Sequence, residues 1–88
     1  MRIVHTGLRR LFDRGDSRRL NPAHVRRVRR VLADLAVASS PTDLDQPGYR
    51  LHLLQGGRRG YWSVRVSANW RIVFRFIGGE AVDVALVD

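Results

Sequence analysis

Cysteine and lysine are both absent from this 88-residue chain, and acidic side chains are few. Without cysteine there can be no disulfide, no thiolate metal site and no thiol nucleophile. The three histidines, His5, His24 and His52, lie far apart with no ligand spacing, so no metal and no other cofactor is implied. No apolar run approaches the length of a membrane span and none at the start resembles a secretory leader, so the chain reads as cytoplasmic. A nucleotide-binding glycine loop and a serine triad are missing too, and carboxylates are too sparse for metal-assisted hydrolysis. With no repeat, low-complexity tract or composition break, residues 1–88 read as one domain whose core leaves little margin.

What is present is arginine. All 16 basic residues are of this type against 8 acidic ones, a formal charge of +8, so the partner should be anionic. The planar guanidinium pairs bidentately with phosphate and stacks on bases, which favours nucleic acid over a merely acidic surface. A GC-rich genome would explain the missing lysine, but not the net charge.

The predicted layout is two helices followed by an antiparallel sheet, an α+β fold. Residues 1–5 read as a short strand, and Leu8, Leu11 and Phe12 then recur at helical spacing until Gly15. Asn21 is a good N-cap, Pro22 fits the first helical position, and Val25, Val28, Val31, Leu32 and Leu35 form an apolar stripe. The opposite face carries Arg26, Arg27, Arg29 and Arg30, with no acidic i,i+4 partner among them, and Arg18 and Arg19 stand just ahead. Pro41 ends the helix, and the turn-rich segment after it has room for one helical turn around Leu44. Strands are predicted at 49–54, 60–66, 70–77 and 81–87, separated by QGGRRG, SAN and GGE.

The segment GYWSVRVSANWRIVFRFI, residues 60–77, is the most informative. Alternation puts Trp62, Val64 and Val66 on one face of its first strand, and Trp70, Ile72, Phe74 and Phe76 on the matching face of its second. With Ser67, Ala68 and Asn69 as the turn, Val66 faces Trp70, Arg65 falls directly opposite Arg71, and Tyr61 falls opposite Arg75. Like charges in such positions repel unless an anion lies between them.

Arg65 and Arg71 are therefore candidates to hold a phosphate; the alternative is a solvated sheet face. Arg75 is a weaker candidate, because stacking on Tyr61 would account for it. Arg58 and Arg59, in a glycine-rich turn, and Arg26 and Arg30, on the basic helix, are candidates for nucleic-acid phosphates, with plain surface roles as the alternative. Leu51 and Leu53 share one face of their strand, and Arg50, His52 and Leu54 the other. His52 is thus on the arginine side, where an imidazole can move a proton near neutral pH, although a structural role is the commoner one for a lone strand histidine. Trp62 and Trp70 read as core rather than as base-stacking platforms. Asp88 is a carboxylate that can orient a histidine or bind an arginine. Arginines, one histidine and no metal leave one plausible phosphodiester chemistry: attack by a ribose 2′-hydroxyl on its own 3′-phosphate, which requires RNA.

These stretches resemble the HigB toxins of the RelE superfamily, the mRNA interferases of type II toxin–antitoxin modules. GLRRLFDRG is similar to the family's first helix, LDQPGYRLHLLQG to its lead into the first long strand, and WSVRVSANWRIVFRF, with its NWR tripeptide, to its most recognisable signature; a DV..VD ending follows. The resemblance implies two N-terminal helices packed on a twisted antiparallel sheet. It implies metal-free cleavage of mRNA on the ribosome and a helix-turn-helix, HigA-like antitoxin, with a toxin–antitoxin heterotetramer or similar assembly. By the same resemblance His52 matches the family's proposed acid or base, Arg71 the arginine contacting the scissile phosphate, Asp88 the aspartate of a terminal DYH motif, and Arg65 a position that is arginine in many relatives. Two departures stand out: Leu53 and Gln55 replace the usual HPLKG pattern, and the tyrosine and histidine that usually follow Asp88 are not in these 88 residues. Two readings of the second departure stay open, a sequence cut short of its natural end and a naturally weakened toxin. A non-catalytic basic module that binds an antitoxin or RNA is the alternative to an enzyme.

Overall fold

The computed structural model describes residues 1–88. Helix α1 spans Thr6–Arg14 and helix α2 spans Val25–Val37. Four strands follow: β1 (His52–Leu53), β2 (Trp62–Arg65), β3 (Arg71–Ile77) and β4 (Glu80–Val87), in one antiparallel sheet of order β1-β2-β3-β4.

Local chemistry sets the helix ends. His5 caps α1, its Nδ1 accepting from the Leu8 amide at 3.2 Å, and Gly15 closes the helix in the left-handed region at φ 69°. Asn21 accepts from the Ala23 amide at 2.9 Å, and Pro22–His24 form a 3₁₀ turn that leads into α2. The turn foreseen around Leu44 is a 3₁₀ turn at Pro41–Leu44, which buries that leucine completely.

The apolar stripe of α2 meets one face of the sheet. Val28, Val31, Leu32 and Leu35 pack with Leu8 and Leu11 of α1 and with Val64, Ile72, Phe74, Val84 and Leu86 of the strands. Trp62 and Trp70 are half-buried against this core, as their alternation predicts. Burial of these side chains is the main term holding the two layers together.

Four readings need correction. Residues 1–5 form no strand; Ile3 makes a single parallel bridge to Val84, because the chain turns into α1 before a ladder can extend. The strand predicted at 49–54 contracts to His52–Leu53, since Tyr49 is drawn towards α2 and Arg50 takes a left-handed φ of 51°. Its Leu51 packs against the core, but Leu53, beside the uncovered edge, is 42 % exposed. The basic face of α2 is less free than its sequence implies. Arg30 has Asp34 four residues on, and both Arg30 and Arg27 lie over the Tyr49 ring, at 5.2 and 5.1 Å. Strand β4 also carries a bulge: Val73 faces Ala85 and Arg75 faces Val82, so Asp83 and Val84 together oppose Phe74, with Asp83 at φ 54°.

Candidate functional site

The connection at residues 67–69 fixes the hairpin register. Val66 and Ser67 both donate their amides to the Trp70 carbonyl, at 2.8 and 3.1 Å, and from there Arg65 pairs with Arg71, Val64 with Ile72 and Ser63 with Val73. Since Val64 and Ile72 face the helices, Ser63, Arg65, Val73 and Arg71 share the sheet's other face. No helix covers that face. Its small side chains form a floor, with Ser63 and Val73 almost completely buried.

Strand β1 adds its own residues to the same face. His52 is paired with Ser63, and the Arg65 amide donates to the Tyr49 carbonyl at 2.7 Å, which places Arg50 beside the arginine pair. The result is an open cleft of about 490 Å³ lined by Arg50, His52, Ser63, Arg65, Ser67 and Arg71, together with Leu51 and Ala68. Three guanidiniums and an imidazole meet there with no carboxylate among the lining residues. Arg65 Nε donates to the Ser67 carbonyl at 3.3 Å, which steadies that fork and leaves its remaining N–H groups free, and neither Arg71 nor Arg50 has an ion-pair partner.

A lock on α2 holds the edge of this cleft. Tyr49 is fully buried, its hydroxyl donates to Asp34 at 2.6 Å, and the Arg27 guanidinium donates to the Gly48 carbonyl at 3.1 Å. Burial, reinforced by the bond to Asp34, pushes the Tyr49 hydroxyl up to about 12. The left-handed turn at Arg50 follows directly, so the buried tyrosine and the tie from its carbonyl to Arg65 determine where Arg50 and His52 stand.

The other candidates are placed elsewhere. Arg75 is held by Asp83, with Nε and one terminal nitrogen donating at 2.9 and 2.8 Å, and it lies over the Tyr61 ring at 5.6 Å. Arg58 lies against the same ring at 5.7 Å, and Arg59 is exposed just beyond the 3₁₀ turn Gly56–Arg58. Arg26 is exposed on α2 without an ion pair, whereas Arg30 is stacked on Tyr49 and donates to Gln46 at 3.4 Å. Arg18 pairs with Asp16 at 3.0 Å. Asp88 follows the last β4 pair, Val87 with Arg71; it is exposed and does not line the cleft.

Three residues escaped the sequence reading of the site. Arg50 was legible as a neighbour of His52 on the arginine face, and Ser63 by its spacing of two from Arg65. Tyr49 carried no local signal, because its partners lie 15 to 22 residues earlier in the chain.

No helix is long and apolar enough to cross a membrane. The family described as the RelE-like toxin of type II toxin–antitoxin system HigB matches residues 2–88. The Endoribonuclease HigB of Proteus vulgaris is 42 % identical over 77 residues, covering 88 % of this chain and 84 % of that protein. Toxin HigB-1 of Vibrio cholerae serotype O1 is 30 % identical over 81 residues, covering 90 % of this chain and 85 % of that protein.

Proposed function

Because the chain belongs to the HigB family of RelE-like toxins of type II toxin–antitoxin systems, we propose that it is an endoribonuclease that cuts mRNA on the ribosome, with the cleft on the uncovered sheet face as its active site. The whole of residues 1–88 acts as one domain in this reading. The observation that carries it is the enforced meeting of Arg65 and Arg71 beside His52, without a carboxylate to neutralise them. Such a group of fixed donors suits a phosphate that gathers negative charge as it reacts.

The chemistry is phosphoryl transfer within the RNA. The ribose 2′-oxygen bonds to phosphorus, the bond from phosphorus to the 5′-oxygen breaks, and the products are a 2′,3′-cyclic phosphate and a 5′-hydroxyl. Arg71 and Arg65 hold the non-bridging oxygens, and His52 takes the 2′-hydroxyl proton or delivers one to the leaving oxygen. The charge of the transition state is met by guanidiniums, so the mechanism calls on no metal. Arg58 and Arg59 at the glycine-rich turn and Arg26 on α2 engage RNA backbone outside the cleft, in a manner sensitive to salt. Arg30 and Arg75, already held by Gln46 and Asp83, serve that surface through their charge.

A type II toxin has an antitoxin partner. We assign that role to a helix-turn-helix protein that assembles with the toxin as a heterotetramer or similar complex in the cytoplasm, where the ribosomes are. A second reading, a non-catalytic basic module for antitoxin or RNA, is favoured by one observation. Cleavage needs a proton acceptor and a proton donor, and His52 is the one imidazole lining the cleft, with no carboxylate beside it and Asp88 outside. Primer extension on programmed ribosomes decides between the two: new 5′ ends within codons support the nuclease, and an inert protein that still binds RNA supports the module.

A further inference from the structure

We propose that Ser63 is a substrate-contacting residue whose hydroxyl donates a hydrogen bond to the phosphate held by Arg65 and Arg71. The inference rests on the RNA-cleaving reading of the cleft and adds to it an uncharged donor at its centre.

Ser63 stands in the middle of the charged groups. It is directly opposite His52 on β1, about 5 Å away by strand spacing, and one pleat repeat, about 7 Å, from Arg65 on its own strand. Across β3 it faces Val73, and Arg71, two residues before Val73, is its diagonal neighbour on the same face. The residue is only 2 % exposed, yet it lines the cleft. Its hydroxyl makes no hydrogen bond within the protein, and the fully enclosed unpartnered side-chain atom of this molecule is Arg10 Nε, so the Ser63 hydroxyl keeps its opening to the cleft.

Structure alone gives little reason for a serine there. A buried strand position beside Val73 suits a β-branched side chain, and sinking a hydroxyl without a partner is unfavourable by more than a hydrogen bond returns. An anion in the cleft supplies the partner. The hydroxyl then acts as a donor set in the sheet floor, fixed by the backbone on both sides and adding no further repulsion to three guanidiniums.

The test uses the full chain and its Ser63→Ala and Ser63→Thr variants. Inorganic phosphate, titrated against the labelled protein by amide NMR, should shift Ser63, Arg65 and Arg71 together. Ser63→Ala should weaken that binding several-fold and lower kcat for ribosomal mRNA cleavage about 10- to 100-fold, as removal of one donor to a charged group does. Its pH profile should stay that of the parent and its melting temperature should stay level or rise, and Ser63→Thr should recover most of the lost rate. A Ser63→Ala protein that binds phosphate and cleaves like the parent overturns the assignment and leaves the arginine site standing. A displaced pH profile overturns it as well, since the serine would then act through His52. A parent that neither binds phosphate nor cleaves removes the functional reading itself, and this inference with it.

Discussion

Arg65 and Arg71 stand directly opposite one another across β2 and β3, and neither meets a carboxylate. The backbone register forces this pair together, and each fork gains a charged partner only when an anion arrives. Function and stability should therefore part company at this point. Arg71→Ala is expected to lower mRNA cleavage about 10²- to 10³-fold, the usual loss for a donor aimed at developing charge. Its melting temperature should stay level or rise slightly, since opposed like charges are unfavourable by up to about 1 kcal/mol. Primer extension beside a thermal melt would check both halves, and a clear fall in melting temperature would count against the repulsion argument.

Arg50 combines a left-handed backbone with a free guanidinium at the cleft. Arg50→Gly separates the two, because glycine accepts that φ without strain while removing the charge. Stability is expected to change by no more than about 1 kcal/mol, with relief of strain offset by greater freedom in the unfolded chain. RNA affinity should fall, and the slope of its logarithm against the logarithm of salt should flatten by about 0.7, one phosphate contact on a single strand. An unchanged salt slope would place Arg50 outside the RNA path.

His5 caps α1 through an unprotonated Nδ1, and burial holds its pKa below the ordinary 6.5. The folded state therefore binds this proton less readily than the unfolded chain does. The resulting stability is fully present above pH 6.5 and declines as pH falls from there through the depressed folded value, below which it levels off. Urea midpoints at pH 8 and pH 5 would show the decline, and His5→Asn, which keeps an acceptor but cannot titrate, should remove most of the difference. His5→Ala should be less stable than the parent by about 1 kcal/mol at pH 8.

Tyr49→Phe keeps the buried ring but removes the donor to Asp34, and is expected to lower stability by about 1 to 3 kcal/mol, measured by urea unfolding. Tyr49→Ala should lose more, about 3 to 5 kcal/mol, through the cavity it leaves. In the parent, absorbance should show the Tyr49 phenol ionising near pH 12. Since the folded value lies above the unfolded one of 10.0, the corresponding stability is complete below pH 10 and is lost as pH rises towards 12. A Tyr49 phenol that ionises at the ordinary value of 10.0 would contradict the buried bond.

Much of this molecule is legible from local pattern. The three-residue connection and strict alternation determine the Arg65–Arg71 register, and Asn21–Pro22 announces α2, because each signal is carried by neighbours in sequence. What escaped depends on distant partners. Nothing around Tyr49 indicates that Asp34, Arg27 and Arg30 will claim it, so local pattern predicts an edge strand longer than the two residues it forms. The bulge in β4 was hidden because 81–87 alternates well enough to pass for a regular strand; only Asp83, turning at φ 54° to reach Arg75, breaks it. That same pairing engages Arg75 through its geometry in a way no residue count could reveal.

Two arginines, an aspartate and a carbonyl contact all converge on Tyr49 and the residue before it, which makes α2 and the rim of the cleft a single mechanical unit. A substitution at position 27, 30 or 34 lies on the far layer of the molecule, yet it would loosen the chain that carries His52. That helix face is therefore mechanically tied, through Tyr49, to the chemistry on the opposite side of the sheet.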